Sequence, residues 1–484
     1  MSNEIRNLEP IELWNNFADL NAVPRGSKKE EKVIQFMVEF GNNLNLKTVV
    51  DPVGNVIIKK PATKGMENRK TVVMQSHLDM VHQKNSDTSF NFDTEGIKMK
   101  IEGDWVKAEG TTLGADNGLG VAAIMSVLAS SKIKHPAIEA LFTIDEETGM
   151  TGALGLQAGY LDGEILLNLD TEEDDEIDIG CAGGIDITAK NSYNEVNSPS
   201  NSIGIAISIT GLSGGHSGMD IDKGLGNANK IMNRIMYETN HFIRISEING
   251  GGLRNAIPRE SFAKVTVYNS KRKAFEKTFK KVAKAIKSEL KTTETNLDIS
   301  FEEINSVGKV MTTISQNTLL NAIYAAHNGV YSMSMDMENL VETSNNIARV
   351  FVKEEKIEIS CLTRSSVESS KFDLANSLKA TFELGGYAVT LSGSYPGWKP
   401  NINSPILDVM SKTYEEMFHS KPAVVACHAG LECGILGTNY PEMDMISFGP
   451  TIQGAHSPDE KANIKSSQKF WKFLLVILEN IPTK

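Results

Sequence analysis

The chain has 484 residues, of which 40% are hydrophobic and 23% are charged, a composition typical of a globular protein with a large core. At about 100–200 residues per domain, this length predicts two or three domains. The formal net charge is −12, because 61 acidic residues outnumber 49 basic ones. Such an acidic balance argues against nucleic acid or an anionic membrane as a partner.

The N-terminal sequence "MSNEIRNLEPIELWNNF" lacks the basic start and apolar core of a signal peptide. No run of about 18 apolar residues is present, so we expect no membrane span. The four cysteines (Cys181, Cys361, Cys427 and Cys433) form no CxxC pair, which favours thiols in a reducing compartment. We therefore expect a cytoplasmic protein.

Residues 1–185 alternate between helical and strand patterns. Apolar residues at helical spacing mark "EPIELWNNFADLNAV" and "EEKVIQFMVEFGNNL". The short apolar runs "TVVMQS", "AIEALFTID" and "EILLNLD" suit buried strands of a mostly parallel sheet. The segment "GADNGLGVAAIMSVLASS" predicts a loop that leads into a helix. This alternation predicts an α/β domain.

The pattern changes near residue 186, where polar alternating strands and separate helices begin, and the α/β pattern returns near residue 398. We predict a catalytic α/β domain, residues 1–185 and 398–484, with a mixed, mostly parallel sheet and flanking helices. An α+β lid domain, residues 186–397, interrupts it. This insert of ~200 residues has room for two ferredoxin-like units in tandem, although no sequence repeat marks them.

Imidazole and carboxylate side chains follow several of the predicted strands. Open α/β sheets bind ligands at the carboxyl ends of their strands, so these side chains should converge on one crevice. The segments concerned are "SHLDMV" (His77, Asp79), "LGADNGLG" (Asp116), "TIDEETGMTG" (Glu146, Glu147), "LLNLDTEE" (Asp170) and "GPTIQGAHSPDE" (His456).

The residue types in this set indicate a metal site. Mixed nitrogen and oxygen ligands suit Zn²⁺, Mn²⁺ or Co²⁺ better than Ca²⁺ or Mg²⁺. The absence of cysteine from the set argues against a purely structural zinc site. The ligands also outnumber what one tetrahedral ion needs, so two ions that share a carboxylate fit the set better.

Each residue also has a simpler interpretation. His77 could be a hydrogen-bonded core histidine, and Asp116 a turn residue. Glu146 and Glu147 could be a solvated pair, or could complement the dipole of a following helix. Asp170 precedes the acidic run "TEEDDEIDI" and could belong to a solvated loop, and His456 could cap a turn. Their joint placement after apolar strands is what favours the metal site.

These motifs, with "GCAGG", "GGHSGMDI" and "GGLRNAIP", resemble in order and spacing the Xaa-His dipeptidases. This branch belongs to the di-zinc family of aminoacylases, carnosinases and carboxypeptidases, and the resemblance covers essentially the whole chain. It implies metal-dependent hydrolysis of dipeptides, with carnosine-like Xaa-His dipeptides preferred. It also implies two Zn²⁺ per chain, for which Mn²⁺ or Co²⁺ could substitute.

The resemblance assigns ligands to both ions. His77 and Asp170 would bind one ion, and His456 and Glu147 the other. Asp116 would bridge the two ions.

The resemblance also assigns the residues around the ions. Glu146 would act as the general base, and Asp79 would orient His77. The peptide bond between Asp116 and Asn117 would be cis.

In the lid, the resemblance implies that His216 donates to the carbonyl oxygen of the substrate and that Asn255 and Arg364 contact the substrate. From the residues alone, His216 could be an exposed turn residue and Arg364 a surface ion-pair partner. Gly430 would lie near the pocket, with His428 and Glu432 of "CHAGLECG".

The sequence leaves open whether His216 acts within its own chain or from the partner subunit of a homodimer. It also leaves open a broader dipeptidase, a tripeptidase or an N-acyl amino acid deacylase with the same chemistry. A non-catalytic binding protein on the same fold is a further alternative, which the full set of ligands and Glu146 disfavours.

Overall fold

The computed structural model describes residues 3–305 and 307–484. These residues form two compact units. The first unit comprises the chain up to residue 180 together with residues 400–426 and 431–484, and the second unit comprises residues 181–399 and 427–430. The first unit is therefore built from both ends of the chain.

The first unit contains an eight-stranded mixed sheet. Its four central strands are parallel to one another, whereas the pairs that join Lys47–Val50, Val56–Lys60 and Glu176–Cys181 to the sheet are antiparallel. The strand order is Lys47–Val50, Val56–Lys60, Ile138–Thr143, Val72–His77, Ile165–Asn168, Asp444–Ser447, Glu176–Cys181 and Ala423–Cys427.

The central strands show why the sequence forms this sheet. Val72–His77, Ile138–Thr143 and Ile165–Asn168 are buried along their whole lengths. Parallel strands that are covered on both faces have continuous apolar sequences of this kind. Because these strands run in the same direction, their carboxyl ends lie at one edge of the sheet, and the residues that follow them are brought together.

The helix Ala115–Ala129 packs against the strand Val72–His77 and the helix Ile11–Leu20, and its residues from Asn117 to Leu128 are all buried. Asp116 and Asn117 at its start have non-helical backbone angles, which confirms the predicted loop leading into a helix. The other helices of the first unit are Asn3–Arg6, Glu31–Asn43, Glu146–Gly149, Thr151–Gly155, Pro405–Phe418, Glu432–Asn439 and Ile464–Asn480, and a second small sheet contains Met99–Glu102, Trp105–Ala108, Ile452–Gln453 and Lys461–Asn463.

The second unit is built on one nine-stranded antiparallel sheet. Eight strands follow the order Asp298–Ile304, Ser202–Thr210, Ser261–Tyr268, Ile243–Gly251, Val341–Lys353, Lys356–Ser365, Gly183–Ser192 and Ala388–Tyr395, and Gly329–Met333 pairs with Val341–Lys353. The helices of this unit are Ala228–Thr239, Arg272–Glu289, Thr313–Ala325 and Glu368–Leu384, with a 3₁₀ turn at Asn269–Lys271. Two short ribbons pair Glu195–Asn197 with Lys309–Met311 and Gly215–His216 with Ala256–Ile257.

The strand and helix order reveals two βαββαβ units side by side in this sheet. One is continuous in sequence, from Ser202 to Ile304. The other begins with Gly183–Ser192 and resumes at Thr313–Ala325, so the continuous unit is inserted after its first strand. The expected tandem order is therefore wrong, because the two units are nested. Among the described helices, none is both long and apolar enough to cross a membrane.

Candidate metal centre

His77 lies at the carboxyl end of the strand Val72–His77, where its side chain is 1% exposed. Its Nε2 lies 3.2 Å from Oδ1 of Asp116 and 3.5 Å from Oδ1 of Asp170. Asp170 follows the neighbouring strand Ile165–Asn168. The parallel sheet thus places His77 and Asp170 side by side, as the strand-end argument predicts.

Asp116 faces two imidazoles. While its Oδ1 lies near His77, its Oδ2 lies 3.2 Å from Nε2 of His456. The same Nε2 of His456 lies 2.8 Å from Oε2 of Glu147. The peptide bond between Asp116 and Asn117 is cis. Each oxygen of Asp116 therefore points to a different histidine, which is the placement that a bridging carboxylate needs.

Three overlapping groups bring potential ligand atoms within 4.8 Å of one another in the described part of the chain around these histidines. They are His77 with Asp116 and Asp170, His456 with Asp116 and Glu147, and His77 with Glu146 and Glu147. The structure therefore brings together all five residues that were predicted as ligands. Glu146, the predicted general base, shares the third group with two of them.

Asp79 lies behind His77 and is fully buried. Nδ1 of His77 lies 3.1 Å from the backbone carbonyl oxygen of Asp79 and 3.4 Å from its Oδ1. The Asp79 carboxylate accepts hydrogen bonds from the backbone N–H of Glu146 at 3.0 Å and of Glu147 at 3.3 Å, and from the hydroxyl of Ser27 at 2.8 Å. Asp79 thus contacts both the histidine and the turn that carries the two glutamates, a link that the sequence analysis did not foresee.

Burial raises the pKa of Glu146 well above its usual range, and the nearby Asp170, Glu432 and Glu147 add to this effect while His77 opposes it. Burial likewise raises the pKa values of Glu147 and Asp170. For His77, burial lowers the pKa, but the surrounding aspartates outweigh burial, so this pKa lies well above its usual value.

For His456, hydrogen bonds to Asp116 and Glu147 raise the pKa to about 11. Every histidine in this cluster is thus held by carboxylates. The carboxylates in turn outnumber the two imidazoles.

The residues present fit divalent cations. Oδ1 of Asp170 is buried and accepts no well-formed hydrogen bond among the described residues, although it lies 3.5 Å from His77. A buried carboxylate oxygen of this kind is costly unless a cation compensates it. The mixture of imidazole nitrogen and carboxylate oxygen suits Zn²⁺, Mn²⁺ or Co²⁺. The cluster around His77, Asp116 and His456 is therefore a candidate metal centre.

A second cluster lies in the second unit, around Arg364 near the end of the strand Lys356–Ser365. Its guanidinium is buried and donates from Nη1 to the hydroxyl of Tyr395 at 2.9 Å and from Nε to Oγ of Ser217 at 3.4 Å. Nη2 lies 3.3 Å from Nε2 of His216. The structure thus joins His216 and Arg364, which the sequence analysis treated separately.

The hydrogen bonds of His216 indicate which ring nitrogen carries its proton. Nδ1 accepts from the backbone N–H groups of Gly218 at 3.3 Å and Met219 at 3.1 Å. A neutral imidazole that accepts at Nδ1 carries its hydrogen on Nε2. Burial, followed by the charge of Arg364, lowers the pKa of His216 to about 4, so the ring is neutral near pH 7. Nε2 of His216 and Nη2 of Arg364 are therefore two adjacent donors, an arrangement that suits an anionic oxygen.

The remaining predicted substrate contacts lie close to His216 in the fold. The backbone carbonyl oxygen of Asn255 accepts from the N–H of Ser217 at 2.7 Å, and the Asn255 side chain is exposed. His428 is buried, and its Nε2 lies 2.8 Å from Oγ of Ser344. Burial and then the charge of Arg364 lower the pKa of His428 to about 3. Gly430, two residues further along the chain, is half-buried.

Glu432 lies in a buried polar network of the first unit. Its Oε2 accepts from Nε2 of Gln75 and from the hydroxyl of Thr143, both at 2.6 Å. Burial raises the pKa of Glu432 to about 8. No local sequence pattern predicts this network, because Gln75 and Thr143 lie inside strands whose sequences are mostly apolar.

Comparisons with known proteins identify the family of this chain. The model of "Peptidase family M20/M25/M40" matches residues 73–480. The chain is 41% identical to the cytosol non-specific dipeptidase of Escherichia coli (strain K12), over 99% of this chain and 100% of that protein.

Solved structures of peptidases also match this chain. The crystal structure of aminoacylhistidine dipeptidase from Vibrio alginolyticus matches with a TM-score of 0.93 and 44% identity, over 100% of both chains. A tripeptidase from Staphylococcus aureus shares the fold, with a TM-score of 0.57 and 16% identity over 98% of this chain and 99% of that one. The predicted α/β fold with a separate lid domain is thereby confirmed.

Proposed function

Because the chain belongs to peptidase family M20/M25/M40, we propose that it is a metal-dependent dipeptidase that prefers Xaa-His dipeptides. The observation that carries this proposal is the placement of Asp116 between His77 and His456, with one carboxylate oxygen toward each imidazole. Glu146, a carboxyl group with a raised pKa, lies in the same cluster.

In this proposal His77 and Asp170 would hold one ion, His456 and Glu147 would hold the other, and Asp116 would help to hold both. Zn²⁺ is the proposed ion, and Mn²⁺ or Co²⁺ would fit the same donors. When bound, two such ions supply Lewis acidity, which lowers the pKa of water toward neutrality and polarises the scissile carbonyl group.

Glu146 is the proposed general base. Its carboxylate takes a proton from the attacking water and later gives that proton to the nitrogen of the departing amino acid. Burial raises the pKa of Glu146, which makes its carboxylate a better proton acceptor than that of an exposed glutamate. Asp79 supports this role, because it accepts the backbone N–H of Glu146 and also faces His77.

Arg364 and His216 are the proposed anion-binding residues. Guanidinium groups bind carboxylates with two parallel hydrogen bonds, so Arg364 suits the C-terminal carboxylate of a dipeptide. His216, with its proton on Nε2, can donate to the carbonyl oxygen on which negative charge develops. Asn255 and Gly430 are proposed as further substrate contacts.

The names of the relatives bear on the substrate. One is called a non-specific dipeptidase and the other an aminoacylhistidine dipeptidase, so both names describe the hydrolysis of dipeptides. They differ on the C-terminal residue, and a broader dipeptidase is therefore the second candidate. We also propose a cytoplasmic location, in line with the name of the E. coli relative, whereas a homodimer stays a prediction.

A substrate panel tests both candidates. Purified protein loaded with Zn²⁺ should hydrolyse Ala-His and carnosine, should act poorly on Ala-Ala-His and acetyl-histidine, and should lose this activity when a chelator removes the ions. A kcat/KM for Ala-His well above that for Ala-Leu supports the Xaa-His preference. Equal values support the broader dipeptidase, and faster cleavage of acetyl-histidine refutes dipeptidase activity as the main function.

A further inference from the structure

The backbone just before Asp116 is held by one buried carboxylate. Glu460, which is 2% exposed, accepts four consecutive backbone N–H groups. Its Oε2 accepts from Leu113 at 2.7 Å and Gly114 at 3.0 Å, and its Oε1 accepts from Ala115 at 2.7 Å and Asp116 at 3.2 Å. A single side chain thus fixes the loop on which the Asp116 carboxylate is mounted.

A buried guanidinium holds the carbonyl groups of the same region. Arg25, which is 1% exposed, donates from Nη2 to the carbonyl oxygen of Gly114 at 2.5 Å. Its Nη1 donates to the carbonyl oxygens of Leu78 at 3.0 Å and Asp79 at 3.1 Å. These two residues directly follow His77. Arg25 therefore ties the segment after His77 to the loop before Asp116.

The glycines of "TTLGADNGLG" make room for this guanidinium. A Cβ atom on Gly114 would lie 2.5 Å from Nη2 of Arg25, and a Cβ atom on Gly118 would lie 2.6 Å from the same nitrogen. Gly114 also has a φ of +71°, which disfavours other residues. The glycines of this loop thus leave the space that the Arg25 guanidinium occupies.

This arrangement is costly unless it serves the site. Burying a carboxylate and a guanidinium carries a large desolvation penalty, and an apolar pair of similar volume is often at least as stable. Burial lowers the pKa of Arg25 to about 10, an effect that Glu460 and Asp79 oppose. Apart from a bond from Nη2 of Arg25 to Oδ1 of Asn21 at 3.0 Å, the hydrogen bonds given above go to backbone groups in the segments of the candidate ligands His77 and Asp116. Most of their effect therefore falls on the candidate metal centre.

We propose that Arg25 and Glu460 are positioning residues that set the geometry of His77 and Asp116 and thereby the affinity of the centre for divalent ions. This inference rests on the proposed function, because it presumes that the centre binds ions. Neither residue is assigned as a ligand or as a group that touches the substrate. Their role is to hold the backbone after His77 and the loop before Asp116, as residues that orient metal ligands do elsewhere.

Glu460→Gln is the decisive variant, since it keeps the size of the side chain but replaces an acceptor oxygen by a donor amide. Glu139→Gln is its matched control in the same unit. Glu139 is 3% exposed, accepts the N–H of Asp162 at 2.8 Å and of Gly163 at 3.0 Å, and pairs with Lys59 at 2.5 Å. Both variants disturb a buried carboxylate that holds a loop, but only Glu460 holds the loop of Asp116.

The measurement is Zn²⁺ affinity, by competition with a chromogenic chelator, together with the melting temperature of each metal-free protein. Loss of a partner behind a ligand typically weakens metal affinity by about 10–100-fold, and we expect this for Glu460→Gln. Glu139→Gln should bind Zn²⁺ with an affinity within about threefold of the wild-type value, even if its melting temperature falls as far as that of Glu460→Gln. Arg25→Lys should weaken Zn²⁺ binding too, because an ammonium group cannot reproduce the planar geometry with which the guanidinium donates to three backbone carbonyl oxygens.

The outcomes separate the two proposals. Wild-type protein that binds no ion and cleaves no dipeptide would overturn the proposed function itself. Wild-type protein that binds ions, with Glu460→Gln binding them equally tightly or no worse than Glu139→Gln does, would overturn the positioning role alone. Should Glu460→Gln fail to fold, Arg25→Lys and Glu460→Asp are compared with Glu139→Gln by the same criterion.

Discussion

The two clusters of functional residues have opposite charge character. In the first unit, Asp116, Glu146, Glu147 and Asp170 surround two imidazoles, and burial raises the pKa values of the last three carboxyl groups.

In the second unit, the charge of Arg364 lies near His216 and His428, and burial together with Arg364 lowers the pKa values of these histidines to about 4 and about 3. Further negative charge is therefore unfavourable in the first cluster, and further positive charge is unfavourable in the second.

This contrast supports the ligands that are proposed for each cluster. A bound cation stabilises the ionised form of buried carboxylates whose pKa values are raised. Neutral imidazoles beside a guanidinium can donate hydrogen bonds to anionic oxygens. In the proposed function, the same residue type therefore has two roles in one chain. His77 is held among carboxylates as a ligand would be, and His216 is held beside an arginine as a neutral donor would be. Neighbouring charges, rather than the histidine itself, decide between these roles.

The largest expected effect tests the first cluster. Glu146→Gln should lower kcat for Ala-His by roughly 10²–10⁴-fold, because the amide cannot accept a proton from water. The bound metal should stay unchanged, since other residues supply the proposed ligands. Steady-state kinetics and elemental analysis measure the two quantities. Glu164→Gln, at a residue that is 46% exposed and paired with Lys70, is the control and should behave as the wild type. Near-normal turnover by Glu146→Gln would remove Glu146 from the mechanism.

An intermediate effect tests the second cluster. Arg364→Lys should lower kcat/KM for Ala-His by roughly 10–100-fold, since a charge-assisted hydrogen bond contributes about 1.5–3 kcal/mol and an ammonium group cannot bind a carboxylate with two parallel bonds. The loss should largely vanish with Ala-His amide, which has no C-terminal carboxylate. Arg234→Lys, at a surface arginine that pairs with Glu289, is the control. An equal loss on the acid and the amide would mean that Arg364 does not bind the carboxylate.

The smallest effect concerns pH. Burial and the charge of Arg364 lower the pKa of His428 to about 3 in the folded protein, whereas the unfolded chain protonates this histidine near its ordinary pKa of 6.5. Below pH 6.5 the unfolded chain therefore binds more protons, and the contribution of His428 to the free energy of unfolding declines as the pH falls.

Relative to the wild type, His428→Gln should therefore gain stability on acidification from pH 6.5 to pH 5, by at most about 1.4 kcal/mol per pH unit. Denaturant unfolding at a series of pH values measures this difference. The control is a variant of His241, whose side chain is exposed. A constant difference between His428→Gln and the wild type would mean that His428 is protonated in the folded protein as readily as in the unfolded chain.

The sequence could place His77 and Asp170 at one edge of the sheet because each ends or follows a buried strand. His77 and Asp170 end or follow continuous apolar runs, and parallel pairing of those runs brings their ends to one edge. Similarly, the loop at Asp116 could be predicted because glycines flank it. The outcome for the lid is different. Antiparallel strands and helices were predicted there, but their nesting depends on pairing between distant segments, such as Gly183–Ser192 with Lys356–Ser365, that local patterns do not encode.

The supporting residues escaped prediction for another reason. Arg25 and Glu460 are single charged residues in loops, and nothing local distinguishes them from exposed ones. Their burial results from contacts with segments about 50 to several hundred residues away, at Leu78 and Leu113. The one local signal was the glycine pattern around Asp116, which indicates a close approach but does not identify the side chain that approaches.

The most direct test of the central claim is the number of divalent ions that the chain binds. Equilibrium dialysis against Zn²⁺, followed by elemental analysis, should give about two ions per chain for the wild type, since the five predicted ligands fit a two-ion site. Asp116→Asn should bind clearly fewer, because it removes the carboxylate that lies between His77 and His456. A wild-type protein that binds no ion, or an Asp116→Asn variant that binds as many ions as tightly as the wild type, would contradict the account.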